Sequence, residues 1–467
     1  MLKDLAKHII DIFVELLRQE EIWLFLFIVG LGGALLIALP SGGFNLVRLI
    51  LSLWWLWGAW ILWKLFWPTI LHWRQERYKA EKLSFVLLEL LIPREVKKSP
   101  QAMEQVLRGL HALRVTPDGV KESYVEGILP TWFSLEAASF GGEVHFYIRC
   151  FKKNRNLVEA AFFSYYTDVE VVEVPDYVET KFPQTIQEMY ERNYSIWGAE
   201  VTLSKESIYP IKMYPDFESI DEDKQFDPIS VLLEFLGKVQ KGEMIGIQIL
   251  ITPARGNWSD PWKSKLEELQ KPPMMEVSVG DEKGSTREMA IGRTPGQVDV
   301  LEAVEKNISK PAFSTIIRFI QLSPQGIYTR AFSRLGVTSV FHQYSALNLN
   351  SFRINYKVSP TTGLRYWPHI FPGVRLEYRK QRLLYNYMHR ELPPETWIGK
   401  FISSYLLNWN FYSEEFYMNV EGIATLFHPP TIAVLTAPHM KRVESRKTGP
   451  PSGLAIFGEE EEIGKYK

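Results

Sequence analysis

Between Ile22 and Trp73 apolar residues follow one another almost without interruption. Ile22–Leu39 is an uncharged run of 18 residues, about 27 Å long as a helix at ~1.5 Å per residue, close to the ~30 Å hydrocarbon thickness of a bilayer. A second run from Leu49 to Leu71 carries one charge, Lys64, among Trp54, Trp55, Trp57, Trp60, Trp63 and Trp67. The turn-rich stretch Pro40 to Arg48 separates the two. The pattern predicts a two-helix transmembrane hairpin over 22–73, with spans at 22–39 and 49–71. In the second span Trp57, Trp60, Lys64 and Trp67 share one stripe, with Lys64 snorkelling toward the interface or pairing with a carboxylate on a partner's membrane helix. Before the hairpin, Leu2, Leu5, Ile9, Ile12, Phe13, Leu16 and Leu17 alternate with charges at helical spacing. Residues 1–21 therefore form an amphipathic helix, lying on the membrane or packed on the protein's own domains.

Beyond Lys82 the rhythm shortens to that of strands and compact helices. Phe85–Ile92 is a continuous apolar strand stopped by Pro93, and Ser99-Pro100 caps a helix burying Met103, Val106, Leu107, Leu110 and Leu113. Gly141-Gly142 predicts a two-residue hairpin turn. That turn sets Ser139 opposite Val144, Ala137 opposite Phe146, Leu135 opposite Ile148 and Phe133 opposite Cys150 on one apolar face, with Glu136 opposite Tyr147 on the other. Asn156-Leu-Val-Glu159 reads as a capping box opening a helix that buries Leu157, Ala160, Ala161 and Ser164, and Val169–Val174 is a strand. Strand, helix, strand, strand, helix, strand over 84–176 is the ferredoxin-like, split βαβ order.

A looser second pass covers 195–390. Strands are predicted at 199–204, 208–214, 244–251 and 312–322, with a last strand at Gly373–Tyr378. Helices are predicted after Asp227-Pro228 and over 328–344, with an insertion of some sixty residues between 251 and 312. The fold class expected is α+β: the membrane hairpin followed by two ferredoxin-like α/β sandwich domains, the second with insertions. Residues 391–437 form a loop-rich segment with a short helix, and 438–467 an extended Pro-rich, charged tail.

Charge then orients the hairpin. Lys3, Lys7 and Arg18 precede it and Arg74, Arg77, Lys79 and Lys82 follow it, against Arg48 alone in the loop. Both termini are expected on the cytoplasmic side of the inner membrane. A net charge of -1 removes any global field for nucleic acid, and Cys150, the single cysteine, removes disulfides and multi-thiolate metal sites.

Catalytic patterns are missing as well. The chain has no Gly-x-Ser-x-Gly elbow and no His-Glu-x-x-His, and Gly237-Lys238, Gly399-Lys400 and Gly464-Lys465 lack the upstream glycine and the Ser/Thr of a phosphate loop. No catalytic, cofactor or metal residue is expected, and His428 and His439 are too sparse for a metal. One basic aromatic stretch stands out: Arg375, Tyr378, Arg379, Lys380 and Arg382, with Tyr385 and Tyr387. It suits a neighbouring protein, or phosphates and bases of a single strand.

Leu90–Gln105, Phe133–Arg149 and Arg155–Ala161, with Phe371–Asn386 and Glu421–Pro430, resemble an uncharacterised membrane-anchored domain family of candidate-phylum bacteria. That family is similar to the N-terminal, motorless half of type IV secretion or conjugation-type traffic ATPases. The resemblance covers about 85–455. It implies a non-enzymatic inner-membrane anchoring and assembly subunit that docks a separate motor ATPase or secretion-system subunits. The alternative is a nucleic-acid-handling component of a DNA-transfer system acting through 375–387. A second copy of the chain stays open as a partner.

Overall fold

A computed structural model describes residues 54–431, apart from 94–97, 116, 118, 120, 218–225, 273, 279–285, 291, 365–368, 395, 397–398, 401–407 and 409–410. The amphipathic N-terminal segment, the first predicted span, the Pro40–Arg48 connection and the 438–467 tail lie outside the described residues. The chain divides into two compact units, Met1–Ile70 and Leu71–Lys467.

In the first unit the described residues belong to helix α1, Trp54–Lys82, so the second predicted span is helical from Trp54 onward. Trp67 packs edge-on against Trp63 and Phe66. Among the described residues no helix is long and apolar enough to cross a membrane.

The second unit is a mixed α+β body on a large, mostly antiparallel sheet. In chain order come β1 (Phe85–Leu91), α2 (Pro100–Ala112), β2 (Phe133–Phe140), β3 (Glu143–Phe151), α3 (Arg155–Tyr165) and β4 (Glu170–Val174). Then follow the short helices α4 (Tyr177–Thr180) and α5 (Ile186–Glu191), β5 (Tyr194–Leu203), α6 (Ser230–Gly237), β6 (Met244–Pro253) and α7 (Lys263–Gln270). The remainder is a hairpin of β7 (Met274–Ser278) and β8 (Thr286–Ala290), α8 (Pro295–Ile308), β9 (Ala312–Pro324), α9 (Arg330–His342), β10 (Phe352–Asn355), α10 (Pro372–His389), β11 (Phe416–Asn419) and α11 (Val420–Leu426).

Nine of these strands share one sheet in the order β10-β5-β9-β6-β2-β3-β1-β4, with β11 added beside β9. In each half the fourth strand lies outermost, followed by the first, the third and the second: β4, β1, β3, β2 in one and β10, β5, β9, β6 in the other. The halves meet where β2 pairs antiparallel with β6, from Phe133 opposite Ile251 to Phe140 opposite Met244.

The hairpin register expected from Gly141-Gly142 is observed from Ser134 opposite Arg149 to Phe140 opposite Glu143. Both glycines have positive φ, 62° and 96°, which a side chain would resist. Ser99 caps α2 through its hydroxyl with Pro100 next to it, and Met103, Val106, Leu107 and Leu110 are fully buried.

Four expectations are corrected. Residues 208–213 form no strand. The fourth strand of the second half is Phe352–Asn355, because Gly373–Tyr378 lies in α10. Helix α3 starts at Arg155 behind Asn154, whose side chain makes no cap bond, so the proposed capping box at Asn156 does not form. The face it buries is Val158 and Phe162 rather than Leu157, which is 53% exposed.

The sheet is covered on both faces. Alternate residues such as Leu88, Phe146, Ile148, Leu135, Ile247, Ile249 and Phe319 pack with α2, α3, α6, α9 and α11. The opposite face, with Leu87, Tyr147, Ala138, Ile196, Ile320 and Leu322, packs under α4, α5 and α10. Residues on this second face also include Glu136, Glu200, Gln248 and Arg318, all fully buried.

Candidate functional site

Helix α10 begins at Pro372 and buries Arg375, Arg379, Leu383, Leu384, Asn386, Tyr387 and Met388. Spacings of four, four and three to four are helical, and two of the inward positions are arginines. The helix lies close on the sheet because Gly246 has no side chain. A Cβ there would fall 1.8 Å from the Tyr387 hydroxyl.

The basic aromatic stretch is thereby split. Arg375 and Arg379 are buried. Arg379 donates from Nη1 to the carbonyls of Lys357 and Ser359, both at 2.9 Å, and from Nε to Asn408 Oδ1 at 3.1 Å. Burial, with the Arg375 guanidinium beside it, pulls Arg379 down to about 10. Lys380 donates to Glu377 and to the Tyr190 hydroxyl. Facing outward remain Tyr378, 39% exposed, and Tyr385, which stacks on His389 and lies under the Arg382 guanidinium.

The C-terminal end of α10 meets a group of buried charges. Arg390, left-handed at φ 49° and wholly buried, directs five N–H groups at five acceptors. Nε and Nη2 donate to the two oxygens of Glu136 at 2.9 and 3.0 Å. Nη1 and Nη2 donate to the two oxygens of Asp176 at 2.6 and 2.9 Å, and Nη1 also to the Met388 carbonyl at 3.0 Å. Glu136 also accepts from the Ser134 and Tyr177 hydroxyls, each at 2.6 Å, and Tyr177 meets the Tyr387 hydroxyl at 2.8 Å. Burial alone would raise the Glu136 carboxyl. Arg390, Ser134 and Tyr177 more than offset this and hold it below the usual carboxylate range. Burial, then the Glu136 charge, pushes the Tyr177 hydroxyl well up.

A second guanidinium completes the cap. Arg318 on β9 donates twice to Glu200 Oε1, at 2.9 and 3.2 Å, and to the carbonyls of Asn386 at 2.8 Å and Glu391 at 3.2 Å. Gln248 donates to the Tyr387 carbonyl at 3.0 Å. The last carbonyls of a helix carry its negative dipole end, so two buried cations here are electrostatically matched. Lys79, near the end of α1, pairs with the Glu391 carboxylate. Both Glu136 oxygens are occupied and the residue is sealed from solvent, so Glu136 ties β2 to Arg390 and Tyr177.

A third polar cluster fastens the end of the described chain. His428, buried, faces the Ala424 carbonyl with Nδ1 and Asp227 Oδ1 with Nε2, each at 2.8 Å. The Thr431 amide and hydroxyl donate to Asp227 Oδ2 at 2.8 Å. Burial raises the Asp227 carboxyl, but His428 and Thr431 outweigh it and leave it at about 2. His439 lies outside the described residues. Among the described residues no group of three or more His, Cys, Asp or Glu is placed to hold a metal ion. One small space, lined by residues that include Leu135, Leu232, Ile247, Tyr344 and Phe427, is water-sized and apolar. Cys150 is buried and unreactive in character, its thiol pushed up to about 12 by burial.

Of the expected membrane residues, Trp57 is helical, Trp60 is 37% exposed, and Lys64 and Trp67 are half-buried. The buried ion groups were missed by sequence reasoning. Their signal was a lone charge in an otherwise uncharged, largely apolar strand: Glu136 in β2, Glu200 in β5 and Arg318 in β9.

Fold and buried chemistry together define an α+β protein with a doubly covered, largely antiparallel sheet stapled by internal ion pairs. Residues 89–352 match the family described as Domain of unknown function (DUF8128), and the chain belongs to that family. No curated protein matches the chain.

Proposed function

We infer that this chain is a non-enzymatic subunit that anchors and assembles a type IV secretion- or conjugation-like system at the inner membrane, where it docks a separate cytoplasmic motor ATPase. In this reading 22–39 and 49–71 form a membrane hairpin with both termini cytoplasmic, and the sheet is two fused ferredoxin-like repeats.

One observation carries the membrane part. Helix α1 exposes Leu62 at 67%, Trp63 at 58% and Phe66 at 51%, together with Trp60. At 100° per residue these cover about 160° of the helix circumference. Large apolar side chains over that arc call for an apolar surround, and the run they belong to begins at Leu49. Support for a scaffold over an enzyme comes from the buried carboxylates Glu136 and Asp227, which are spent on internal bonds. The motor ATPase rests on the resemblance of Leu90–Gln105 and Phe371–Asn386 to a domain family that is itself similar to the N-terminal halves of traffic ATPases.

The test is membrane extraction with topology mapping. Full-length chain is expected to resist carbonate extraction, and Gly42→Cys to label from outside intact cells. After cross-linking in native membranes it should co-purify with a chain bearing Gly-x-x-x-x-Gly-Lys-Ser/Thr. Free solubility without detergent would overturn the anchor, and ATP turnover by the isolated chain would overturn the scaffold.

A further inference from the structure

One turn of the body is locked against α1 where that helix becomes charged. Gly127, at φ 69°, lies so near α1 that a Cβ on it would fall 2.5 Å from the Arg74 carbonyl oxygen. The six residues before it, Lys121–Glu126, make one wide helical turn in which no residue is buried. Val125 there is 56% exposed, and the Lys121 side chain is 82% exposed. Beside the same contact point Trp73 is 53% exposed, with the Arg74 and Arg77 guanidiniums 5.0 and 5.7 Å from its ring centre. Trp73 adjoins Arg74 and Val125 lies two residues before Gly127, so exposed apolar residues on two segments flank one backbone contact, with Arg77 paired to Glu81 and Lys121 to Glu126 beside them.

Resting on the membrane reading above, we propose that Trp73 and Val125 sit together in the headgroup layer of an anionic phospholipid bilayer, with Arg77 and Lys121 toward its phosphates. The body is then seated on the membrane surface at two points. Tryptophan with flanking Lys and Arg is the side-chain set of that layer, and each exposed cation there adds attraction to anionic lipid.

The experiment uses full-length chain in nanodiscs of phosphatidylglycerol and phosphatidylethanolamine. Single nitroxides are placed at Leu62→Cys, Val125→Cys and Leu157→Cys, with buried Cys150 silent. Collision with oxygen and with a water-soluble nickel chelate reports depth. Expected is oxygen-dominated relaxation at 62, free nickel access at 157, and nickel access at 125 at least threefold below that at 157. Charge reversal by Arg77→Glu with Lys121→Glu should raise nickel access at 125 and leave 62 unchanged. Nickel access at 125 equal to that at 157, with 62 still in lipid, overturns this proposal alone. Nickel access at 62 overturns it together with the anchor.

Discussion

Replacing Arg390 by methionine removes five hydrogen bonds at once and leaves Glu136 sealed in the sheet without its cation. Breaking a buried pair from one side costs ~3–5 kcal/mol, because the stranded charge keeps its desolvation penalty. For a body of this size the unfolding entropy of ~2.1 cal/mol/K per residue turns that into a fall in Tm of about 5 °C. The pH dependence is the sharper readout. In the native protein Glu136 is held below its ordinary value of 4.5, so its contribution is present above that value and lost as pH falls through the folded one. Without Arg390, burial, the largest influence on this carboxyl, is opposed only by the Ser134 and Tyr177 hydroxyls, and the folded value rises. The cost of the substitution should therefore be larger at pH 8 than at pH 5 by urea denaturation. Adding Glu136→Gln to Arg390→Met should recover at least ~1 kcal/mol, whereas Asp176, with 17% of its side chain exposed, can rehydrate. A pH-independent loss under ~1 kcal/mol, or a double variant no better than the single, would refute the reasoning.

Gly246→Ala should destabilise by ~1–3 kcal/mol, since the new methyl overlaps the Tyr387 hydroxyl, and Tyr387→Phe in the same chain should cost less than the two changes summed. Asp227, at about 2 in the fold against 3.8 ordinarily, should contribute about 2 kcal/mol above pH 4 that disappears between pH 4 and pH 2; Asp227→Asn should flatten that limb of the stability curve. Cys150 should stay unmodified by maleimide at pH 8 for hours and react within minutes in urea. Arg379→Met should cost at least ~2 kcal/mol by stranding the Lys357 and Ser359 carbonyls and Asn408, read by thermal unfolding.

How far the sequence could be read depended on where the charges fell. The β2–β3 hairpin was legible because glycine turn, alternation and register coincide between Ser134 and Glu143. Helix α10 was not. Val374, Leu376 and Tyr378 mimic a strand's alternation, and the true helical stripe passes through Arg375 and Arg379, which count as polar until their backbone and Asn408 partners are known. Helix α3 failed for a related reason: its aromatic and aliphatic residues surround the axis, and the core took Val158 and Phe162 instead of Leu157 and Ala160. Arg390 had no local signal at all, since Glu136 lies 254 residues away in the chain.

The pairing of β2 with β6 has a consequence for synthesis. Until Met244–Pro253 leaves the ribosome, Phe133–Phe140 has one side without a neighbour. At ~5–20 residues per second, a gap of roughly a hundred residues lasts on the order of 10 s. For that interval the nascent chain carries an open, half-apolar ribbon, a template for strands of other chains. Translation speed between residues 140 and 244 should therefore govern yield more than speed elsewhere.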